Sequence, residues 1–310
     1  MNLTKLLLGF SLSMFFCFSI TAQDSEWNAD FNHKVSKSTN VTYLDLVKKI
    51  FPEAKLEKQS ENESAKLMSF KSIPIRDLFN KQSAKLIENQ TVELKERLLT
   101  KNGNEKLLWV IFYLNEFKEP NYYIDRNLLA VYRINKDQAE MLDAAEIYEG
   151  YTVGFGNNGW EEFSTQEKLE VLPGYESVII HSVAGTALGE EEYSVIGLDE
   201  KGFQIILSPF YLEHNVQCGG GYLENIKFTF LKNPGLKYKS LKVTVTTYSS
   251  FEDEEEEKSK KPTKPDFLKN FNYQFVWKQS ENQYVASGNH SIIDKSRRAF
   301  YRKIKSCGVG

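Results

Sequence analysis

Apolar and polar residues alternate with a period of two over much of the chain after about residue 67. In the run NIKFTFL, for example, Ile226, Phe228 and Phe230 fall on one face, with polar residues between them. This alternation predicts strands with one buried and one solvated face. The run WVIFYL at 109–114 is apolar at every position, which predicts a central strand covered on both faces.

Short polar turns separate these strands. KNGN at 101–104 contains Asn-Gly, the strongest short hairpin signal, and four further turns follow: INKDQ at 134–138, DEKG at 199–202, NPG at 233–235 and SENQ at 280–283. The rhythm predicts an antiparallel meander of about ten to twelve strands, arranged as a sandwich, an open barrel or a propeller-like stack. It resembles that of bacterial secreted β-meander and β-propeller proteins, although no repeat of blade length is present.

A short helix is predicted at each end of this strand-rich region. Thr42 and Asp45 have the spacing of a capping box before an amphipathic stretch that Pro52 ends. Ser291 and Asp294 have the same spacing at the start of the stretch SIIDKSRRAFYRKIK. We expect the second helix to dock through a few apolar residues and to turn its basic residues to water or to anionic lipid head groups: Arg297, Arg298, Arg302 and Lys303.

The first 22 residues have the layout of a secretory signal peptide. Lys5 precedes the apolar run LLLGFSLSMFFCFSI, and small residues at SITA follow, which predicts cleavage after Ala22. The run of about 15 residues is shorter than a spanning helix needs, although an uncleaved anchor is the alternative. Cys17 lacks the small preceding residues of a lipidation signal. We therefore expect export to the periplasm or the extracellular space, with no transmembrane segment after cleavage.

Composition refines the domain organisation. The 310 residues carry a net charge of −3 and are 13% aromatic, which is typical of a folded chain and gives no basic field for nucleic acid. Residues 23–40 are polar and aperiodic and predict a flexible lead-in. Residues 41–310 are expected to form a single β-rich domain, with a disordered charged loop at 251–267, FEDEEEEKSKKPTKPDF.

Two cysteines remain after signal cleavage, Cys218 and Cys307, and an oxidising compartment favours their pairing in a disulfide. Cys218 lies in LEHNVQCGGGYLEN with His214. No helix and no Lys-Ser/Thr pair follows the three glycines, which argues against a phosphate loop. No second Cys/His pair exists for zinc, so no metal is expected. A catalytic thiol at Cys218 is the alternative to the disulfide.

A few further residues are candidates for ligand contact. His181 ends a strand before a Gly/Ala-rich stretch and three glutamates, and Trp160 follows the glycine-rich GFGNNG; the candidates are Trp160, His181, Glu190, Glu191, Glu192 and His214. No catalytic set and no cofactor motif is present, so catalytic residues and cofactors are not expected. The sequence favours a non-catalytic binding protein of the bacterial cell envelope, with a small molecule, glycan or protein as partner. The alternative is a secreted hydrolase acting on glycans or similar substrates through His181 or the glutamates.

Overall fold

The computed structural model describes residues 31–57, 66–67, 73–79, 90–119, 122–147, 151–156, 166–184, 190–213, 222–231, 238–249 and 267–304. These contain two helices, α1 (Tyr43–Ile50) and α2 (His290–Ile304). The strands are β1 (Leu56–Glu57), β2 (Lys66–Leu67), β3 (Arg76–Asp77), β4 (Gln90–Asn102), β5 (Glu105–Glu119), β6 (Tyr122–Ile134), β7 (Ala139–Ile147), β8 (Tyr151–Phe155), β9 (Lys168–Leu172), β10 (Tyr175–Ala184), β11 (Glu190–Asp199), β12 (Gly202–Glu213), β13 (Tyr222–Phe230), β14 (Leu241–Ser249), β15 (Phe267–Lys278) and β16 (Gln283–Ser287).

Fourteen of these strands form one mixed sheet, which is not closed in the part of the chain described. Three antiparallel groups make up most of it: β4 to β7, then β8 to β12, then β13 to β16. Single residue pairs join the groups, Tyr175 with Asn102 between β10 and β4, and Leu207 with Tyr284 between β12 and β16. Backbone pairing between the groups is therefore confined to these two positions.

The mainly β class and the meandering course agree with the sequence prediction. The hairpins β4–β5, β6–β7, β11–β12 and β15–β16 turn at KNGN, INKDQ, DEKG and SENQ as predicted, and β13 pairs with β14 across the NPG segment. The differences lie in the number of strands, which is larger than ten to twelve, and in two parallel contacts, β3 with β7 and β12 with β16. The parallel contacts join strands that are not neighbours in sequence, which alternation does not reveal.

Three apolar cores occupy the faces of this sheet. The first lies between α1 and one face of β4–β7, and the second lies between the other face of β4–β7 and strands β8 to β12. The third, the α2 core, collects inward side chains of β9 to β16 around Tyr301 of α2. Strands such as β5 and β10 serve two cores at once, since Leu108 and Trp109, or Ile179 and Ile180, point to opposite sides.

The N-terminal helix begins as predicted. Thr42 Oγ1 accepts a hydrogen bond from Asp45 N, and Thr42 N donates to Asp45 Oδ2 at 2.8 Å, which completes the capping box. Upstream, Phe31 is fully buried and Val35 N donates to Val41 O at 2.9 Å. Of residues 31–40, Phe31, Val35 and Thr39 are buried and the others are exposed. The flexible lead-in expected for 23–40 stays a prediction.

Several sequence predictions concern residues outside the described ones. They are the signal peptide at 1–22, most of the charged loop at 251–267, and both cysteines, Cys218 and Cys307. The export signal and the disulfide remain predictions. In the described residues, neither helix has the length and apolar character needed to cross a membrane.

Candidate functional site

A cavity of about 470 Å³ lies between α2 and the strands β12, β15 and β16. It arises because β12 and β16 share a single residue pair, Leu207 with Tyr284, and each then continues with its partner on the other side, β11 or β15. Beyond that pair the two strand edges line the cavity, with Ser208 to Tyr211 on one side and Val285 and Ala286 on the other. We call this space the α2 cavity.

Six of the sixteen residues that line it carry Phe or Tyr rings: Phe210, Tyr211, Tyr273, Phe275, Tyr284 and Tyr301. Phe210 meets Tyr273 edge to face at 4.8 Å between ring centroids. The Tyr273 hydroxyl donates to Asp294 Oδ1 at 2.8 Å, and the Tyr284 hydroxyl donates to Lys239 O at 2.9 Å. Because these hydroxyls already donate within the protein, the two residues offer a ligand mainly their rings.

A buried ion pair fixes α2 against the strands. Arg297 Nε donates to Glu224 Oε1 at 2.8 Å, its Nη2 donates to Glu224 Oε2, and its Nη1 donates to Tyr211 O at 3.1 Å. Arg297 is 8% exposed and Glu224 is 1% exposed. Burial acts to lower the pKa of Arg297, but Glu224 and Tyr273 raise it above its usual range, so the guanidinium stays charged.

This pair corrects the sequence prediction that Arg297 faces water. The predicted capping box of the second helix is also replaced, because α2 begins at His290 and Ser291 Oγ instead donates to Asn289 Oδ1 at 2.6 Å. Asp294 lies inside the helix and accepts from Tyr273. Arg297 and Asp294 therefore attach α2 to the strands.

A second group of polar side chains surrounds His181 on β10. The ring nitrogen Nδ1 lies 3.1 Å from Gly156 O, just after β8, and burial lowers the pKa of His181 even though Glu191 acts to raise it. The neutral ring then carries its proton on Nδ1 and donates it to the carbonyl. His181 Nε2 keeps its lone pair and has no hydrogen-bond partner within the described ranges.

Glu96 of β4 approaches the same place from the neighbouring group of strands. Its Oε2 accepts from Phe155 N at 2.5 Å, and burial raises the pKa of its carboxyl group. A Cβ at Gly154 would lie 2.6 Å from Glu96 Oε1 and 2.8 Å from His181 Cε1. Glycine at 154 is therefore what allows the carboxyl group and the imidazole to approach the same strand so closely.

The structure brings some of the predicted site residues together. His181 pairs in register with Tyr193, whose hydroxyl donates to buried Glu191. Glu192 lies on the opposite face of β11 and is partly exposed, and Glu190 begins that strand. Trp160 and His214 lie outside the described residues. Within the described ranges, no three His, Cys, Asp or Glu side chains are placed to hold a metal ion.

Sequence reasoning missed the residues that matter most at both places. The α2 cavity is built from side chains of ordinary strand and helix runs, and no local motif marks them. Glu96 lies in a strand-like run, TVELKERLL, where alternation predicts only a polar position. The one available signal was Gly154 inside an apolar strand pattern, since an isolated glycine there indicates close approach of another group.

No family model, curated protein or solved structure matches this chain. The α2 cavity and the group around His181 therefore carry the functional proposals.

Proposed function

We propose that this protein is an exported, non-catalytic binding protein of the bacterial cell envelope whose ligand occupies the α2 cavity. The observation that carries the proposal is the space of about 470 Å³ between diverging strands and a helix, lined in part by Phe and Tyr rings. Ligand sites in proteins have volumes of roughly 300–1,000 Å³, apolar and aromatic walls, and a few polar groups that fix orientation. The export part of the proposal rests on the predicted signal peptide at 1–22.

The contacts that hold α2 against the strands favour a preformed binding site. Arg297 and Glu224 hold α2 through a buried bidentate pair, and Tyr222 stacks on Tyr301 with ring centroids 4.0 Å apart. These contacts hold the helix in place before a ligand arrives, which lowers the entropic cost of binding.

We also propose that the strands around the cavity form an open barrel, one of the three arrangements predicted from the sequence. Inward residues from β9 to β16 share the α2 core. The Gln166 amide, just before β9, bonds both Phe228 N at 3.1 Å and Phe228 O at 3.2 Å. This side-chain bridge supports the proposal because it links the edge strand β13 to the start of β9.

A thermal-shift screen with glycans, lipids, small apolar molecules and divalent ions tests the binding proposal. A ligand at 100 times its Kd stabilises a protein by about 2.7 kcal/mol, which gives a measurable rise in Tm. Ala286 lies at the cavity, so Ala286→Trp should fill it and abolish the rise. Val276 is 40% exposed on the other face of β15, and Val276→Trp is the matched control that should keep it. A rise that survives in Ala286→Trp would place the ligand elsewhere and contradict the proposal.

The second candidate function is a hydrolase acting on glycans or similar envelope substrates. It is favoured by the approach of Glu96 and His181 at Gly154, because a carboxyl group with a raised pKa and an imidazole with a lowered pKa suit general acid and general base roles. Envelope glycans incubated with the protein would then be cleaved. His181→Asn and Glu96→Gln should each abolish the cleavage, whereas Ala286→Trp should leave it intact.

A further inference from the structure

Three exposed cations run along α2 beside the mouth of the α2 cavity. Lys295, Arg298 and Arg302 are spaced by three and four residues, so they share one side of the helix, and Arg298 itself lines the cavity. None of the three makes an ion pair or a hydrogen bond with any other described residue. We call them the cationic stripe.

Among the described residues, no carboxylate pairs with the cations of this stripe. The buried cation next to it, Arg297, is paired with Glu224. The one carboxylate of α2, Asp294, accepts from Tyr273 and forms no salt bridge with Arg298, although it lies one turn away. A basic residue in the last turn, such as Arg302, is favoured by the helix dipole, but Lys295 and Arg298 lie before that turn.

The cavity behind the stripe has the opposite character. Phe and Tyr rings line much of it, beside polar residues such as Ser208 and Gln283, and the hydroxyls of Tyr273 and Tyr284 donate to protein acceptors. An apolar chain fits such walls because it requires no hydrogen bonds from them. A free guanidinium at the mouth suits a carboxylate or phosphate, which arginine binds through two parallel N–H donors.

We propose that the α2 cavity binds an anionic amphiphile, with its apolar chain among the rings and its carboxylate or phosphate head at Arg298 and the flanking stripe. This inference rests on the proposed function, since it uses the same cavity. The head group comes either from a lipid in a bilayer or from a free amphiphile, and the chemistry at Arg298 is the same for both.

Isothermal titration calorimetry tests the proposal with dodecanoate and dodecyl phosphate, each below its micelle concentration. Uncharged dodecyl glucoside and inorganic phosphate are the comparison probes. The anionic amphiphiles should bind at least about tenfold more tightly than dodecyl glucoside or inorganic phosphate. One hydrogen bond to a charged group contributes enough binding free energy to change Kd by that factor. Ala286→Trp should abolish their binding.

Two double variants distinguish the contribution of the cationic stripe from the effect of net charge. Arg298→Gln with Arg302→Gln should weaken the anionic probes by about tenfold or more and leave dodecyl glucoside unchanged. The control removes two exposed cations from α1, Lys48→Gln with Lys49→Gln, which lowers net charge equally and should leave all probes unchanged.

Vesicles identify the source of the head group. Phosphatidylglycerol vesicles that bind the wild type but not the stripe variant point to a bilayer lipid, and monomeric probes that bind without vesicle binding point to a free amphiphile. Either result supports the proposal. Equal binding of dodecyl glucoside and dodecanoate would overturn it while the cavity remains the binding site. Binding of every probe unchanged in Ala286→Trp would overturn the proposed function as well.

Discussion

Replacing Arg297 by methionine tests how the cavity is held together. The substitution keeps an unbranched apolar stem but leaves the carboxylate of Glu224, which is 1% exposed, without its guanidinium partner. It also removes the donor to Tyr211 O on β12. Removing one partner of a buried ion pair costs about 3–5 kcal/mol, mainly because the remaining charge is buried without compensation. We expect a loss of that size in the free energy of unfolding, or a fall in Tm of roughly 6–20 °C.

Urea unfolding followed by circular dichroism measures this loss, with limited proteolysis to report on α2. The matched control is Arg298→Met, one residue along, where the side chain is exposed and makes no ion pair in the described part of the chain, and the expected change is within about 0.5 kcal/mol. The double variant Glu224→Met with Arg297→Met should recover much of the loss, since no charge is then left buried. A change below about 1 kcal/mol in Arg297→Met would refute the view that this pair positions α2.

Three further predictions address other parts of the molecule. Thr42→Ala removes the capping box of α1 and should lower the free energy of unfolding by about 1 kcal/mol in urea titrations, whereas an unchanged value would show that the cap is dispensable. Burial raises the pKa of Glu96 above 4.5, so the stability it contributes when protonated is fully present below pH 4.5 and is lost as pH rises through its folded pKa. In Glu96→Gln the free energy of unfolding should therefore decline less above pH 4.5 than in the wild type. Identical pH profiles of the two proteins would contradict a raised pKa of Glu96. Cys307→Ser should cost about 2–5 kcal/mol if Cys307 is paired with Cys218, and two free thiols in non-reducing mass spectrometry would exclude the disulfide.

Alternation and local spacing predicted the features that depend on neighbouring residues. Phe228 and Ile226 are buried as the period of two requires, and Thr42 caps α1 because its partner is three residues away. The Asn-Gly turn follows for the same reason, since Gly103 adopts a φ of +63° that glycine tolerates.

Features that depend on distant residues could not be predicted in this way. Arg297 has the polar, basic character of a solvated helix residue, and only the position of Glu224, 73 residues away in sequence, makes it a buried one. Glu96 and His181 meet because β8 places Gly154 between them. The α2 cavity exists because β12 and β16 share one pair and then part, and strand pairing at this distance leaves no trace in composition or spacing.

A crystal structure of the protein with dodecyl phosphate tests the central claim most directly. We expect ligand density between α2 and β16, with the alkyl chain against Tyr273 and Tyr284 and the phosphate within hydrogen-bond distance of Arg298. Density for the probe around His181 and Glu96, with the α2 cavity empty, would contradict it.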